Sequence, residues 1–164
     1  MSNDLLARVE ELEQEVRALR AREDIRTLRN TYHEYINERH YEQIPGLFTD
    51  DARLDFGYLG KATGQVKISK FFAAAPKLLQ FVKQFIHSHT IELDGDSGTG
   101  WSYMEAKSIA GDEAYLVAGR YDDCYTLIDG RWRFSVMNFQ PYFTVPFKDP
   151  AGWATDDRLR MGAK

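Results

Sequence analysis

The segment VKQFIHSHTIELDGDSGTGWSYMEAKSIAGD, residues 82–112, decides the fold of this chain. Apolar and polar side chains alternate along it, which is typical of β-strands that bury one face. Two groups of turn residues, Asp94-Gly-Asp-Ser-Gly and Ala110-Gly-Asp, interrupt the alternation, and Asp129-Gly130 does so further on. The pattern therefore predicts an antiparallel meander of four strands, at residues 82–94, 98–109, 113–128 and 131–144.

The residues before this segment predict helices. Residues 4–39 have helical spacing throughout, and a second helix is expected at 65–79, where Pro76 kinks or ends it. Between them we expect a short third helix at 41–48, a strand at 52–59 and a loop or short returning strand at 60–64. Because helices come first and strands later, the fold class is α+β, with a curved antiparallel sheet around the helices and a cavity between them.

The first part of the long helix carries an apolar seam of the coiled-coil type. Its members recur at spacings of four and three residues, at Leu5, Val9, Leu12, Val16 and Leu19. Roughly two to three heptads are marginal alone, so we expect this arm, residues 1–20, to pack on the domain or on another subunit. A solvated arm is the alternative. Beyond the arm, the spacing changes to that of a helix face on a domain core, at Ile25, Leu28, Tyr32 and Ile36.

Length and composition limit the classes of protein. The 164 residues suffice for one domain, expected at 21–153, followed by an irregular tail at 154–164. A formal net charge of -4 argues against nucleic-acid and anionic-membrane partners. The uncharged residues 134–147 fall short of the roughly 20 that a membrane span needs. The N-terminus also lacks the apolar core of a secretion signal, and we expect a cytoplasmic protein.

The remaining charges and the single cysteine predict structural roles. Cys124 excludes an internal disulfide and a cysteine-based metal cage, because it is the one cysteine of the chain. Arg120 with Asp122 or Asp123 is a candidate structural ion pair within the strands.

Aromatic residues make up 13% of the chain, which predicts either a bulky core or a pocket for an apolar or aromatic ligand. No motif indicates phosphate binding, because the glycines of Gly95-Asp-Ser-Gly-Thr-Gly100 lie between two predicted strands without a following helix. A Gly-x-Ser-x-Gly motif is absent, which leaves a serine triad without support. Tyr58 and Tyr103 are candidates for the wall of the pocket.

Histidine and tyrosine are the candidate acids and bases. His87-Ser-His89 places two imidazoles on one strand face, and imidazole is the usual general acid or base near neutral pH. Two histidines at this spacing can bind a metal, but the sequence marks no third ligand. Tyr32 precedes His33 on the helix that faces the core, and in a cavity its hydroxyl can donate to a substrate carbonyl or a developing oxyanion. Asn37 lies near enough to the same side to reach that cavity.

Four segments of the chain have the order and spacing of one known family. They are Glu23-Asp-Ile-Arg-x-Leu-x-x-x-Tyr32, Leu47-Phe-Thr-Asp-Asp-Ala-Arg-Leu-Asp55, Ile91-Glu-Leu-Asp-Gly-Asp96 and Asp129-Gly-Arg-Trp-Arg-Phe134. Together they resemble the SnoaL-like branch of the nuclear-transport-factor-2-like superfamily, which includes bile acid 7α-dehydratases, scytalone dehydratases and hexachlorocyclohexane dehydrochlorinases. The resemblance implies a cone with a deep apolar cavity, elimination of water or HCl without metal or organic cofactor, and often a trimer.

The resemblance carries over to the candidate site only in part. The family's tyrosine matches Tyr32. The aspartate and histidine of the family's catalytic dyad fall on Asn37 and Gln84, and an amide takes no proton at neutral pH. A further family arginine falls near Pro141.

Three explanations for the missing dyad follow. A β-bulge could bring His87 inward, since strand parity otherwise places His87 and His89 on the face opposite Gln84. A phenolic or enolisable substrate could itself donate the electrons that drive bond cleavage, in place of the dyad. The chain could also bind a ligand without catalysis.

The candidate residues and the family resemblance together imply a cofactor-independent lyase that eliminates water or formaldehyde, or a related isomerase or cyclase, acting on an apolar aromatic or polycyclic molecule. We expect Tyr32, His87 and His89 to be catalytic, and Asn37, Tyr58, Gln84 and Tyr103 to contact substrate, with no metal or cofactor. A non-catalytic binding protein is the main alternative, and an assembly protein held by the Leu5–Leu19 seam is another. A homo-oligomer is expected, with a trimer favoured over a dimer.

Overall fold

The computed structural model describes residues 3–147, which form two α-helices and one six-stranded sheet. The helices are α1 (Asn3–Asn37) and α2 (Gln65–Leu78), and short 3₁₀ turns occupy Ile44–Leu47 and Gly57–Leu59. The strands are β1 (Phe48–Asp55), β2 (Lys61–Thr63), β3 (Phe81–Asp94), β4 (Ser97–Ala110), β5 (Glu113–Ile128) and β6 (Arg131–Phe147). The expected domain end at 153 and the expected tail at 154–164 lie outside the described residues.

The four long strands form the antiparallel meander that the alternation predicts, and the α+β class is confirmed. The sheet order is β2-β1-β6-β5-β4-β3, with β3 to β6 paired in chain order. β1 lies parallel to β6, and Leu54 pairs with Met137. A parallel pair joins strands far apart in the sequence, so no turn signal marks it.

Two elements before the meander differ from the expectation. The strand expected at 52–59 begins four residues earlier, because Phe48 already pairs with Phe134 of β6 and is fully buried. It also ends earlier, at Asp55, because residues 57–59 form a 3₁₀ turn. The third helix expected at 41–48 is only the 3₁₀ turn Ile44–Leu47, which has Pro45 in its first positions. Proline lacks a backbone N–H, which suits the start of a helical turn better than its interior.

α1 is continuous over 35 residues but has two different halves. From Ile25 onward it packs on the sheet, and Ile25 and Tyr32 are fully buried. Before residue 21 its side chains are nearly all exposed, including the apolar seam. Neither helix in residues 3–147 combines the length and apolarity that a membrane span requires.

A β-bulge in β3 changes which side chains face the helices. The β3–β4 register shifts between His87 and His89, and Ser88 has a φ of 48°. The added residue reverses the parity of the strand, so that Gln84 faces inward before the bulge and Ile91 faces inward after it. The bulge therefore turns His89 inward and leaves His87 on the outer face.

Candidate functional site

A cavity of about 540 Å³ lies between the sheet and the helices. This volume is within the range of about 300–1,000 Å³ for small-molecule sites. The lining is mainly apolar, and its aromatic members include Tyr32, Phe56, Phe71, Phe72, Tyr121 and Phe139. The aromatic content of the sequence thus supplies both a core and the wall of a cavity.

The polarity of this cavity favours an uncharged ligand. Within the described part of the chain, no Asp, Glu, Lys, Arg or His belongs to the lining. Its polar groups are the tyrosine hydroxyls, Gln84, Ser108 and Thr144. A charged ligand would lose its hydration here without gaining an opposite charge, which is strongly unfavourable.

Tyr32 brings a free hydroxyl to this lining. The residue is fully buried, and its hydroxyl has no hydrogen-bond partner among residues 3–147. Its ring packs edge-on against His33 at 4.9 Å and Phe72 at 6.0 Å between ring centroids. Burial raises the pKa of Tyr32 well above its usual value, so the hydroxyl keeps its proton and is available as a donor.

The residues at the two dyad positions, Asn37 on α1 and Gln84 on β3, are joined by hydrogen bonds between the Asn37 side chain and the Gln84 backbone. Asn37 Nδ2 donates to the backbone oxygen of Gln84 at 2.9 Å, and the Gln84 backbone N–H donates to Asn37 Oδ1 at 2.7 Å. Both ends of the Asn37 side chain are therefore used to hold β3 against the helix. The structure places Gln84 on the cavity wall and Asn37 behind it.

Sequence reasoning gave no role to His33, which lies beside Gln84. His33 Nδ1 is 2.8 Å from Gln84 Oε1, and because an amide oxygen only accepts, Nδ1 carries the proton. Nε2 then holds a lone pair and has no partner in the described chain. Burial, followed by the charge of Arg29, lowers the pKa of His33 well below its usual value. The available signal was its spacing, since His33 precedes Asn37 by one helical turn.

Tyr121 lies on the same side of the cavity. Burial raises the pKa of Tyr121 to about 12, while the charge of Arg29, the next largest influence, acts to lower it. Gln84 Oε1 is bonded to His33, so the amide NH₂ of Gln84 is left as a donor. We call Tyr32, Gln84 and Tyr121 the polar wall.

The two tyrosines predicted for the pocket lie in different places. Tyr58 belongs to the cavity lining, and its hydroxyl is 2.7 Å from Thr144 Oγ1. Its side chain is 66% exposed, which puts it at the mouth of the cavity. Tyr103 is not part of the lining and instead packs against Trp101 and Tyr142 on the other face of the sheet.

The structure does not bring the three predicted catalytic residues together. His87 is on the outer face, with Nε2 3.4 Å from Glu105 Oε2. His89 points inward, but its Nε2 is 3.0 Å from the Tyr125 hydroxyl, and it does not belong to the cavity lining. Only Tyr32 of the three lines the cavity. In residues 3–147, no three His, Cys, Asp or Glu side chains are grouped in a way that could hold a metal ion.

A second group of buried polar residues lies next to the polar wall and contains charges. Arg29 Nη2 donates to Asp123 Oδ2, and both side chains are fully buried. The Tyr125 hydroxyl donates to the same carboxylate oxygen at 3.0 Å and connects it to His89. The guanidinium carbon is 4.4 Å from the ring centroid of Tyr121, in a cation–π contact. We call Arg29, Asp123, Tyr125 and His89 the charged cluster.

The ion pair expected for Arg120 forms with Asp122, because Asp123 belongs to the charged cluster. Arg120 pairs with Asp122, with a 3.0 Å bond from Nε, whereas Asp123 pairs with Arg29 on the helix. Burial alone would lower the pKa of Arg29, but the neighbouring Asp123 outweighs it and raises that pKa, so the guanidinium keeps its charge. Burial, with Arg29 next in importance, lowers the pKa of His89 to about 4.

The comparisons with known proteins agree with this architecture. The family model of the SnoaL-like domain matches residues 17–138. A hexachlorocyclohexane dehydrochlorinase, LinA-type3 from Novosphingobium barchaimii LL02, has a TM-score of 0.76 and 19% identity, covering 86% of this chain and 97% of its own. A candidate scytalone dehydratase from Novosphingobium aromaticivorans DSM 12444 has a TM-score of 0.73 and 19% identity, covering 84% and 97%.

A third solved structure, that of a protein of unknown function from Mycobacterium tuberculosis, has a TM-score of 0.66 and 23% identity, covering 79% of this chain and 73% of its own. No curated protein sequence gives a match. At these identities the solved structures establish the fold alone, whereas the family model covers most of the chain and confirms the resemblance seen in the sequence. The chain belongs to the SnoaL-like domain family.

Proposed function

We propose that this protein is a cofactor-independent lyase, or a related isomerase or cyclase, acting on an uncharged aromatic or polycyclic molecule held in the cavity. The observation that carries the proposal is the Tyr32 hydroxyl, which is buried at the cavity without a partner in the described chain. An unpaired buried hydroxyl is unfavourable, so a ligand that accepts its hydrogen bond is favoured there. The two neighbours named as a dehydrochlorinase and a candidate scytalone dehydratase support an elimination on this fold.

The polar wall favours a ligand that carries an acceptor oxygen. Tyr32 keeps its proton, and Gln84 has its oxygen bonded to His33, so both offer donors. A carbonyl or phenol oxygen at the polar wall would accept these hydrogen bonds, while the apolar skeleton fills the rest of the cavity. The substrate class that fits is therefore a phenolic or enolisable ring system.

The same donors would stabilise the transition state of an elimination. A base removes a proton from carbon, the electron pair forms a carbon–carbon double bond, and the carbon–oxygen bond breaks as the departing hydroxyl takes a proton. Negative charge that develops on the ligand's carbonyl or phenol oxygen is stabilised by Tyr32 and Gln84. In the loss of formaldehyde, the hydroxymethyl O–H gives its proton to the base, and the electron pair of the broken carbon–carbon bond goes to the ring, which is then protonated.

The cavity lining in the described chain contains no imidazole or carboxylate, so we assign the base to His33, which lies behind the wall against Tyr32 and Gln84 and has an unpartnered Nε2. Its ring packs against Tyr32, and its low pKa keeps it neutral and able to accept a proton. The imidazolium that forms returns the proton to the departing hydroxyl or to the ring, which closes the cycle. His87 and His89, the bases suggested by the sequence, have other partners, and the proposal does not use them.

The test is a product scan by mass spectrometry. The full chain, with chelator and no added cofactor, is incubated with phenolic diaryl diols, hydroxylated steroids and polyketide-like phenols. A product lighter by water or formaldehyde supports the lyase, and an isobaric product supports the isomerase or cyclase. Compounds that bind but return unchanged overturn the catalytic proposal.

A matched pair of variants tests Tyr32 itself. Tyr32→Phe should lower turnover by more than ~10-fold, because one donor to the developing charge is lost. Tyr41→Phe is the control, since its hydroxyl is also buried, unpartnered in the described chain and at the cavity, but outside the polar wall. Equal turnover of the two variants would contradict the role of Tyr32.

A non-catalytic binding protein is the second candidate. The observation that favours it is that Asn37 uses its whole amide on the backbone of Gln84, so the dyad positions hold structure and carry no charge. Ligands would then raise the melting temperature without forming product. In that case Tyr32→Phe should weaken binding more than Tyr41→Phe does.

A further inference from the structure

We propose that the N-terminal arm dimerises: its residues 5–20, the part of α1 that carries the seam, form a parallel two-stranded coiled coil with a second copy of this chain. The inference does not depend on the proposed activity, because the arm lies outside the cavity. It rests on the exposure of the seam, the residue types at its core positions and the charges beside it.

The seam is open to solvent in the described chain. Its five members are all exposed, at 48% for Leu5, 43% for Val9, Leu12 and Val16, and 64% for Leu19. Isolated exposed leucines are normal on a protein surface, whereas a continuous apolar stripe along one helix marks an interaction site. The spacing of four and three residues is that of helices wound around each other.

The residue types of the seam select the number of strands. In the heptad frame Val9 and Val16 occupy the a positions, and Leu5, Leu12 and Leu19 occupy the d positions. β-branched residues at a with leucine at d favour parallel dimers over trimers and tetramers. The arm thus selects two strands, although the family resemblance favours a trimer.

The flanking charges select the direction and the partner. Arg8 and Glu15 occupy g positions, and Glu13 and Arg20 occupy the e positions of the following heptads. In a parallel pair, Arg8 meets Glu13 of the partner subunit and Glu15 meets Arg20 of the partner subunit, so both contacts are attractive. An antiparallel pair crossing at residue 14 would bring Glu13 and Glu15 against their own copies, which is repulsive. This complementarity specifies a second copy of the same chain.

The arm is already folded for this contact. α1 continues without a break into the half that packs on the sheet, so the helix has its nucleus before dimerisation. Two pairs within the helix compete with these contacts, Arg8 with Glu11 and Arg17 with Glu13, and both are exposed and weak. The next a and d positions are Glu23 and Arg26, so the seam ends where α1 enters the domain.

The test measures the mass of the full chain in solution by light scattering or sedimentation. We expect twice the chain mass of 18.9 kDa for the wild type. Leu12→Glu combined with Val16→Glu should give a monomer. Ala7→Glu combined with Gln14→Glu adds the same charge at f positions on the opposite face and should leave the dimer intact. Near-ultraviolet circular dichroism of the aromatic core should be the same in all three proteins.

A charge exchange tests direction. Glu15→Arg alone should weaken association by about fivefold. Each dimer contains two contacts between position 15 and Arg20 of the partner subunit, and the substitution makes both of them repulsive. Adding Arg20→Glu to the same chain should restore it, since the parallel pairing is again attractive. A monomeric or trimeric wild type, a mass unchanged by the seam variant, or a charge exchange without rescue would each overturn the proposal.

Discussion

The polar wall and the charged cluster are neighbours on α1, yet their polar groups are handled in opposite ways. The charged cluster is an ion pair whose carboxylate also accepts from Tyr125, although Arg29 Nε and Nη1 and Asp123 Oδ1 have no partner in the described chain. The polar wall carries no charge, opens to the cavity and leaves the Tyr32 hydroxyl unpartnered in the described chain. The difference teaches that an unpartnered buried polar group is available to a ligand only where it also lines the cavity, whereas the two charges of the ion pair compensate each other inside the fold.

Tyr121 connects the two groups. The guanidinium of Arg29 lies over its ring, and Tyr121 lines the cavity together with Tyr32 and Gln84. The ion pair therefore packs on one face of the Tyr121 ring, while Tyr121 also forms part of the cavity wall. Damage to the charged cluster should disturb the polar wall as well, whereas the reverse is not expected.

The largest expected effect comes from breaking the ion pair. Asp123→Asn should lower the free energy of unfolding by about 3–5 kcal/mol, because it leaves the Arg29 charge buried and uncompensated. Asp122→Asn is the matched control, since its partly exposed pair with Arg120 is worth about 1 kcal/mol or less. Urea denaturation measures both. Similar losses in the two variants would remove the distinction between the clusters.

The same substitution made in each group sharpens the comparison. Tyr125→Phe should cost about 2 kcal/mol, because a hydrogen bond to a buried carboxylate is lost. Tyr32→Phe should leave the free energy of unfolding unchanged or slightly raised, because its hydroxyl has no internal partner to lose. Denaturation of the ligand-free protein measures the difference, and a larger loss for Tyr32→Phe would refute the assignment.

The support behind the polar wall gives a smaller effect. Asn37→Ala should cost about 1–2 kcal/mol, because the Gln84 backbone loses two hydrogen bonds. It should also weaken ligand binding, since Gln84 is no longer held at the wall. Asn30→Ala, on an exposed face of α1, should change neither quantity and serves as the control. Thermal unfolding with and without ligand separates the two effects.

The smallest effect is a dependence on pH. The pKa of His89 in the fold, about 4, is below the unfolded value of about 6.5, so the unfolded chain binds a proton first. Stability should therefore fall as the pH decreases from about 6.5 to about 4, by about 1 kcal/mol after allowance for partial exposure. His33 acts in the same direction.

His89→Asn should flatten this part of the profile, whereas His87→Asn on the outer face should leave it as it is. Denaturant midpoints measured at a series of pH values give the comparison. Identical slopes for the two variants would mean that His89 is not shielded by the fold.

Much of the architecture follows from local pattern. The alternation after Val82 and its turn residues predict the meander, and the helical spacing of Ile25, Leu28, Tyr32 and Ile36 predicts the buried face of α1. These features depend on neighbours a few residues apart, whose periodicity reflects which face is buried. The early start of β1 escaped prediction because pairing with β6 decides it.

The candidate site was harder to predict from local sequence patterns than the fold. The sequence identified Tyr32 and Gln84, which meet at the cavity, and Tyr58 at its mouth. It gave no role to His33 and left Asp122 and Asp123 both open as the partner of Arg120, because nothing local links His33 to Gln84 or Arg29 to a carboxylate 94 residues away. The roles of His87, His89 and Tyr103 stay predictions, and all three lie off the cavity wall.

The sequence by itself determined the fold class, the strands of the meander, the seam of the arm and the tyrosine at the cavity. Tertiary structure alone decided which imidazole lies beside Gln84, which carboxylate neutralises Arg29 and where β3 reverses its faces at Ser88. The physical reason is the separation along the sequence between the residues that interact. Periodicity and turn chemistry act between near neighbours, whereas partners for buried polar groups are set by packing between segments that only the folded chain brings together.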